Sequence, residues 1–162
     1  MGSGAIEVMP GVPTDNATAT EGSARLGKLG HRYSYKGSEF KLVKNVSTTT
    51  ALVQYAAQNW SDPAIGTATV TATTAGGTGT DSYLAGVAQS AIAAAGFGYI
   101  CSGGITEGTS ATAAGAAGDL ITVEGTDGKF KQATVGTDHI VGHMVDAFAS
   151  ADTVYTVYLN PQ

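Results

Sequence analysis

Gly118-Asp119-Leu120-Ile121-Thr122-Val123-Glu124, Gly125-Thr126-Asp127-Gly128 and Lys129-Phe130-Lys131-Gln132-Ala133-Thr134 carry the clearest strand pattern in the chain. A second pair of runs follows: His139 to Phe148, the break Ala149-Ser150-Ala151-Asp152, and Thr153-Val154-Tyr155-Thr156-Val157-Tyr158-Leu159. Short apolar, β-branched and aromatic runs separated by Gly, Asp and Ser breaks are the signature of antiparallel strands. Asp127-Gly128 supplies residues that tolerate positive φ, as a tight hairpin turn requires. In the last run Tyr155, Val157 and Leu159 share one face, and Val154 and Tyr158 flank Thr156 on the other. A strand that is apolar on both sides needs cover on both sides, from a barrel, a second sheet or a neighbouring subunit. The expected fold is all-β: a small antiparallel β-barrel or sandwich with an extended N-terminal arm.

Composition points the same way. A length of 162 residues suits one domain with one sizeable core. Hydrophobic content of 43% and a mean hydropathy of +0.06 exclude a wholly disordered polymer. Charged residues make up 13% of the chain, about half the usual ~25%. Ala (26), Gly (23) and Thr (22) are so abundant that tight strands are favoured over long helices. No apolar run approaches the ~18 residues of a membrane span. Met1-Gly2-Ser3-Gly4 lacks the basic and apolar regions of a secretory signal. Cys101 is alone, which excludes an internal disulfide and implies synthesis in a reducing compartment.

The net charge of −5 hides an asymmetry. Arg25, Lys28, Arg32, Lys36, Lys41 and Lys44 fall within twenty residues, opposed only by Glu39. No Lys or Arg occurs from Asn45 through Gly128. Such a band either docks onto an acidic partner or guards a strand edge against aggregation. Nucleic acid is not the expected partner, since the rest of the molecule is acidic and aromatics are few.

Taken in order, residues 1–30 carry Pro10 and Pro13, no period, and only Ile6, Val8, Met9 and Val12 as sizeable early apolar residues. They read as an extended arm, ordered when it lies on something else. Residues 31–162 form the β domain. Tyr33 and Tyr35 alternate with Arg32, Ser34 and Lys36; Phe40 and Leu42 share a side after Gly37. Ala51 to Trp60 fits helix and strand alike, and Asp62-Pro63 ends it. Ile65 to Thr74 is an alternating Thr strand, Gly76-Gly77-Thr78-Gly79 a loop, and Leu84–Ile92 and Gly96–Cys101 two strands. Gly103 to Gly118 reads as a low-complexity connector. The order of strand, glycine-bearing strand, Ala-rich break and aromatic strand occurs twice, over about 40–100 and 101–160, a weak internal duplication.

No catalytic constellation emerges. His139 and His143 stand four apart, near Asp138 and Asp146. A helix would let them share zinc. Val141, Gly142 and Val145 favour a strand, where residues four apart lie ~13 Å from each other, too far for one metal with bonds of ~2 Å. His31 sits in the basic band and reads as a surface residue. Cys101 has no CxxC partner and reads as a buried structural thiol. The Gly76–Gly79 run lacks the Lys-Ser/Thr ending of a phosphate loop, and Ser90 and Ser102 lack a nucleophile-elbow pattern. Asp119, Asp127, Asp138 and Asp152 fall at strand ends, where Asp makes turns. An enzyme is not expected, nor a metal or other cofactor. Trp60, the only Trp, either anchors an interface or closes one end of the core.

Several runs carry a resemblance. Lys36-Gly37-Ser38-Glu39-Phe40-Lys41-Leu42-Val43-Lys44-Asn45 is one; Gly86-Val87-Ala88-Gln89-Ser90-Ala91-Ile92 leading to Gly98-Tyr99-Ile100 is another. Ala114-Gly115-Ala116-Ala117-Gly118-Asp119-Leu120-Ile121, Ile140-Val141-Gly142 and the closing Val-Tyr-Thr-Val-Tyr-Leu strand complete it. Together, over residues 31 to 160, they resemble the capsid decoration (cement) proteins of tailed bacteriophages. The resemblance implies an Ala/Gly/Thr-rich barrel or sandwich on the outside of the virion shell. It also implies a homotrimer, the major capsid protein as partner, assembly in the host cytoplasm and no catalytic residues. Capsid or subunit contacts are then expected at Ile6, Val8, Met9, Val12, Arg25, Lys28, Arg32 and Trp60. The alternative expectation is a carbohydrate-binding or adhesion β-module of a phage fibre.

Overall fold

The structure, a computed structural model, describes residues 14–20, 26–60, 69–72, 84–111, 114–124 and 128–160, with the backbone alone at residues 60 and 69–72. Among these residues there is no helix. Eleven strands form one large, mostly antiparallel sheet. They are β1 (Asn16–Ala17), β2 (Arg32–Tyr35), β3 (Ser38–Asn45), β4 (Ala57–Trp60), β5 (Thr69–Ala72), β6 (Leu84–Ala88), β7 (Phe97–Thr109), β8 (Leu120–Val123), β9 (Phe130–Gln132), β10 (Gly142–Met144) and β11 (Val154–Leu159). The all-β, barrel- or sandwich-like class expected from the sequence is the class observed.

Pairing runs in two circuits that share β7. In the first, β3 pairs with β5, β5 with β4, β4 with β6, β6 with β7, and β7 with β3. In the second, β7 pairs with β11, β11 with β10, β10 with β8 and β8 with β9. A single parallel bridge between Ser110 and Phe130 brings β9 back to the end of β7. Each half is therefore barrel-like, although the sheet as a whole is not a closed barrel.

The halves repeat a set of backbone hydrogen bonds. The backbone N–H of Tyr55 donates to Ala88 O (2.9 Å), and that of Gly118 to Met144 O (2.8 Å). Asn45 N donates to Gly96 O and Ser110 N to Thr153 O, both at 2.9 Å. Leu52 bridges Ile92 as Gly115 bridges Phe148. The buried polar side chains correspond too: Asn45 Nδ2 donates to Ala93 O (3.1 Å), and Ser110 Oγ to Ser150 O (3.0 Å). The matching turns carry positive φ at Tyr55 (60°), Ala95 (56°), Gly118 (90°) and Asp152 (59°).

β7 is long because one strand serves both circuits. The expected connector over Gly103–Gly118 is thus strand as far as Thr109, a correction with a local cause. At Gly104 (φ +88°) a Cβ would lie 2.6 Å from Gly37 O and 2.7 Å from Ser38 Cα, so the chain passes close to the β2–β3 turn as it changes circuit. Ser38 Oγ donates to Ile105 O at 2.7 Å and pins that crossing. Elsewhere, Ala51–Trp60 resolves into the Leu52 bridge, a turn at Tyr55 and β4, with no helix. Of His139–Phe148 only Gly142–Met144 is strand, because Phe148 turns inward to meet Gly115. The Gly76–Gly79 loop and Asp127 lie outside the described residues.

Three groups of buried side chains follow from this. One fills the first circuit: Val43, Leu52, Ala85, Ala88, Ile92 and Ile100. A second fills the other circuit, around Ile121, Phe130, Met144, Phe148, Val157 and Leu159. The third lies outside the first circuit and includes Ala17 and Leu26. The leading segment, where described, is thus extended chain lying on its own sheet: β1 pairs with β7, and Leu26 is buried.

Candidate functional site: an uncovered sheet face

The outer face of the first half is sealed by the chain itself. Over β3 and β7, Phe40, Leu42, Tyr99 and Cys101 lie beneath Ala17 and Leu26, with Tyr33, Tyr35 and Phe97 packed beside them. Tyr99 Oη donates to Leu26 O at 2.9 Å. Burial, with a smaller push from the Asp15 carboxylate, raises the Tyr99 phenol above its ordinary range. Over β4 and β6, Ala57, Leu84 and Val87 sink into the core of the second half, and Ala57 N donates to Gly128 O at 2.7 Å.

The matching face of the second half stands open. Ile105 on β7 is the register partner of Tyr158 on β11. Tyr158 partners His143 on β10, and His143 partners Leu120 on β8. Side chains directly opposite one another on one face stand about 4.5–5.5 Å apart at Cβ, so these four make one row across four strands. Ile105 is 53% exposed and Leu120 38%, with the two rings between them half-buried. The His143 and Tyr158 rings stack at 5.0 Å and 20°. Val145 and Val154 extend the exposed apolar surface to one side. On β11, Tyr155, Val157 and Leu159 are buried and Val154 and Tyr158 are not. The second-side cover that the sequence demands is therefore not supplied by the described part of the chain.

The chemistry-bearing side chains stand apart from one another. His139 is exposed, in the turn where Asp138 Oδ2 accepts from Thr134 N at 2.8 Å. His143 is committed to its stack. Asp119 Oδ2 accepts from Ala116 N at 2.9 Å, and Asp152 meets Lys129 Nζ at 2.7 Å. These are the turn roles that Asp at strand ends implies. Among the described residues no group of three or more His, Cys, Asp or Glu side chains is placed to hold a metal ion. Glu107 accepts a hydrogen bond from the Tyr55 hydroxyl, which with burial raises that phenol.

Cys101 is fully buried, with its Sγ 3.3 Å from Gly103 O. Burial, against a smaller opposing effect of the Gly103 backbone, pushes the thiol from 9.0 up to about 11. The unfolded chain then loses the thiol proton above pH 9 while the folded chain keeps it to about 11. Unfolding therefore releases a proton in that window, and stability falls as pH rises through it. Wild-type protein is expected to lose more stability between pH 9 and 11 than Cys101→Ala, read by urea unfolding. A thiol reagent at pH 8 should label Cys101 only as fast as the fold opens.

The basic band lies on β2, β3 and the approach to them. Lys28 is exposed. Arg32 pairs with Glu39 at 3.5 Å, both well exposed. Lys36 lies 5.4 Å from the Tyr35 ring centroid and Lys44 5.8 Å from that of Phe97. Lys41 is half-buried, and desolvation, then Arg32, lower its pKa. Ile6, Val8, Met9, Val12 and Arg25 lie outside the described residues, and Trp60 is placed by its backbone alone, opposite Val70. The row from Ile105 to Leu120 is not evident in the sequence, because Ile105, Glu107 and Thr109 alternate inside what looks like a Gly/Thr-rich connector. Compared with protein-family models and with curated proteins, the sequence matches none.

Proposed function

We propose that the chain is a structural virion protein that binds the outside of a tailed-phage capsid and cements adjacent capsomers, as a homotrimer. The observation that carries this reading is the apolar row Ile105–Tyr158–His143–Leu120, standing open on a tightly packed double barrel. Exposed apolar surface arrayed in this way suits contact with protein. A cement protein works by contact and rigidity, and it needs no reacting group. The basic band supplies a second contact, toward an acidic shell surface. A second reading, a glycan-binding β-module, draws on the half-exposed Tyr158 and His143 rings. It predicts retention on a glycan array, which a cement protein does not show.

The test is the stability of phage heads prepared with and without the protein. Heads lacking it are expected to open at lower temperature or in low salt, and added protein should restore them. Heads that neither bind it nor gain stability contradict the proposal. A companion prediction concerns the band. Arg32→Ala combined with Lys36→Ala should weaken binding to heads several-fold and flatten its salt dependence. The free protein should change by less than about 1 kcal/mol, since exposed pairs contribute little.

A further inference from the structure

The repeat offers a way to ask what covers the open face. Matching pairs place Gly86 opposite Gln58 in the first half and Gly142 opposite Ile121 in the second. In that alignment Ala57 corresponds to Leu120, Val87 to His143 and Leu84 to Ile140. In the first half all three are buried, because the second half of the same chain seats on them. In the second half Leu120 is exposed and His143 and Ile140 are half-buried. The same correspondence sets Phe40 against Ile105 and Cys101 against Tyr158. The first pair is sealed by Ala17 and Leu26 of the leading segment; among the described residues nothing seals the second pair in the same way. Among those residues the chain builds one face twice and covers it once, and both of the coverings on it belong to this chain.

We propose that the face formed by Ile105, Leu120, Ile140, His143 and Tyr158 is the subunit interface, occupied by a second copy of this chain. A contact between this face and a different surface of the next copy closes into a ring when the rotation allows. The homotrimer of the proposed function is such a ring, and to that extent this inference rests on that reading. The face itself does not depend on a capsid. Tyr158 fits the role, because aromatic side chains are enriched at interface centres.

Sedimentation velocity of the full chain at ~10–100 μM tests this. Wild type is expected to sediment as an oligomer, and Ile105→Asp with Tyr158→Asp as a single chain with unchanged circular dichroism. The milder pair Leu120→Lys, on β8, and Ile140→Lys, just before β10, provides a second disruption should the first fail to fold, with the same result expected. Wild type that stays a single chain overturns the inference, as does a folded variant that remains fully oligomeric. The two readings separate cleanly. A single-chain protein that still binds heads leaves the cement role standing and removes this interface; an oligomer indifferent to heads does the reverse.

Discussion

Gly142→Ala is expected to remove a large share of the stability of the fold. Gly142 stands opposite Leu159 on β11, and a Cβ there would collide with the backbone oxygen of Tyr158, with Leu159 Cα 3.1 Å away. Neither atom can move without breaking the β10–β11 ladder. Gly86 is its counterpart in the first half. There a Cβ would collide with Cys101 O, and φ is +147°, which side chains rarely adopt. Collision with backbone in a filled core belongs to the few mechanisms that cost more than about 4 kcal/mol, out of a total of about 5–15 kcal/mol. Each variant should melt at least about 8 °C below wild type, if it folds. Gly136→Ala is the control: its φ of +91° is unfavourable for alanine, but nothing lies within 4 Å of the added carbon. It should cost about 1–2 kcal/mol. A Gly142→Ala protein melting within a degree or two of wild type would show that β10 and β11 do not approach as closely as described.

Phe130→Ala should have the next largest effect. The ring is fully buried in the second half, and it occupies space that Gly108 leaves: a Cβ on Gly108 would come 2.8 Å from it. Phe130 also carries the closing contact of its circuit, the bridge to Ser110, with Ala111 N donating to Phe130 O at 2.7 Å. Removing the ring forfeits its transfer energy and leaves a cavity whose wall is held by β7, which both halves share. The expected loss is about 3–5 kcal/mol by urea unfolding. Val135→Ala, at a position 74% exposed, should stay within about 0.5 kcal/mol. Equal effects at the two positions would mean that the second half has no packed interior.

The strands were legible wherever β-branched and aromatic residues alternate, as in Tyr155, Val157 and Leu159, and their inward face is the one observed. The register of the repeat was not legible, for a physical reason. Core volume is exchanged between neighbours from one half to the other. Val43 faces Gly98 in the first half, where Gly108 faces Tyr155 in the second. Leu52 packs near Ala88 in the first half, while Gly115 leaves room for Met144 in the second, a Cβ there coming 2.6 Å from the sulfur. Each pair fills comparable space with the large residue on opposite partners, so residue-by-residue alignment fails while the fold is repeated. The open face was hidden for a related reason. Glycine and threonine made Gly103–Thr109 look like linker, although glycine in that stretch marks close backbone approach at Gly104 and room for Phe130 at Gly108.

In the proposed function the two barrel-like halves act by being covered, with the open face and the basic band seated on other protein. Under the proposed function, cryo-electron microscopy of intact heads of a phage whose particles contain the chain is the decisive measurement. The account predicts density for the double barrel on the outer surface of the shell, bridging neighbouring capsomers, with the Ile105–Leu120 row buried between copies. Heads whose outer surface carries no such density, in particles shown by mass spectrometry to be complete, would contradict it.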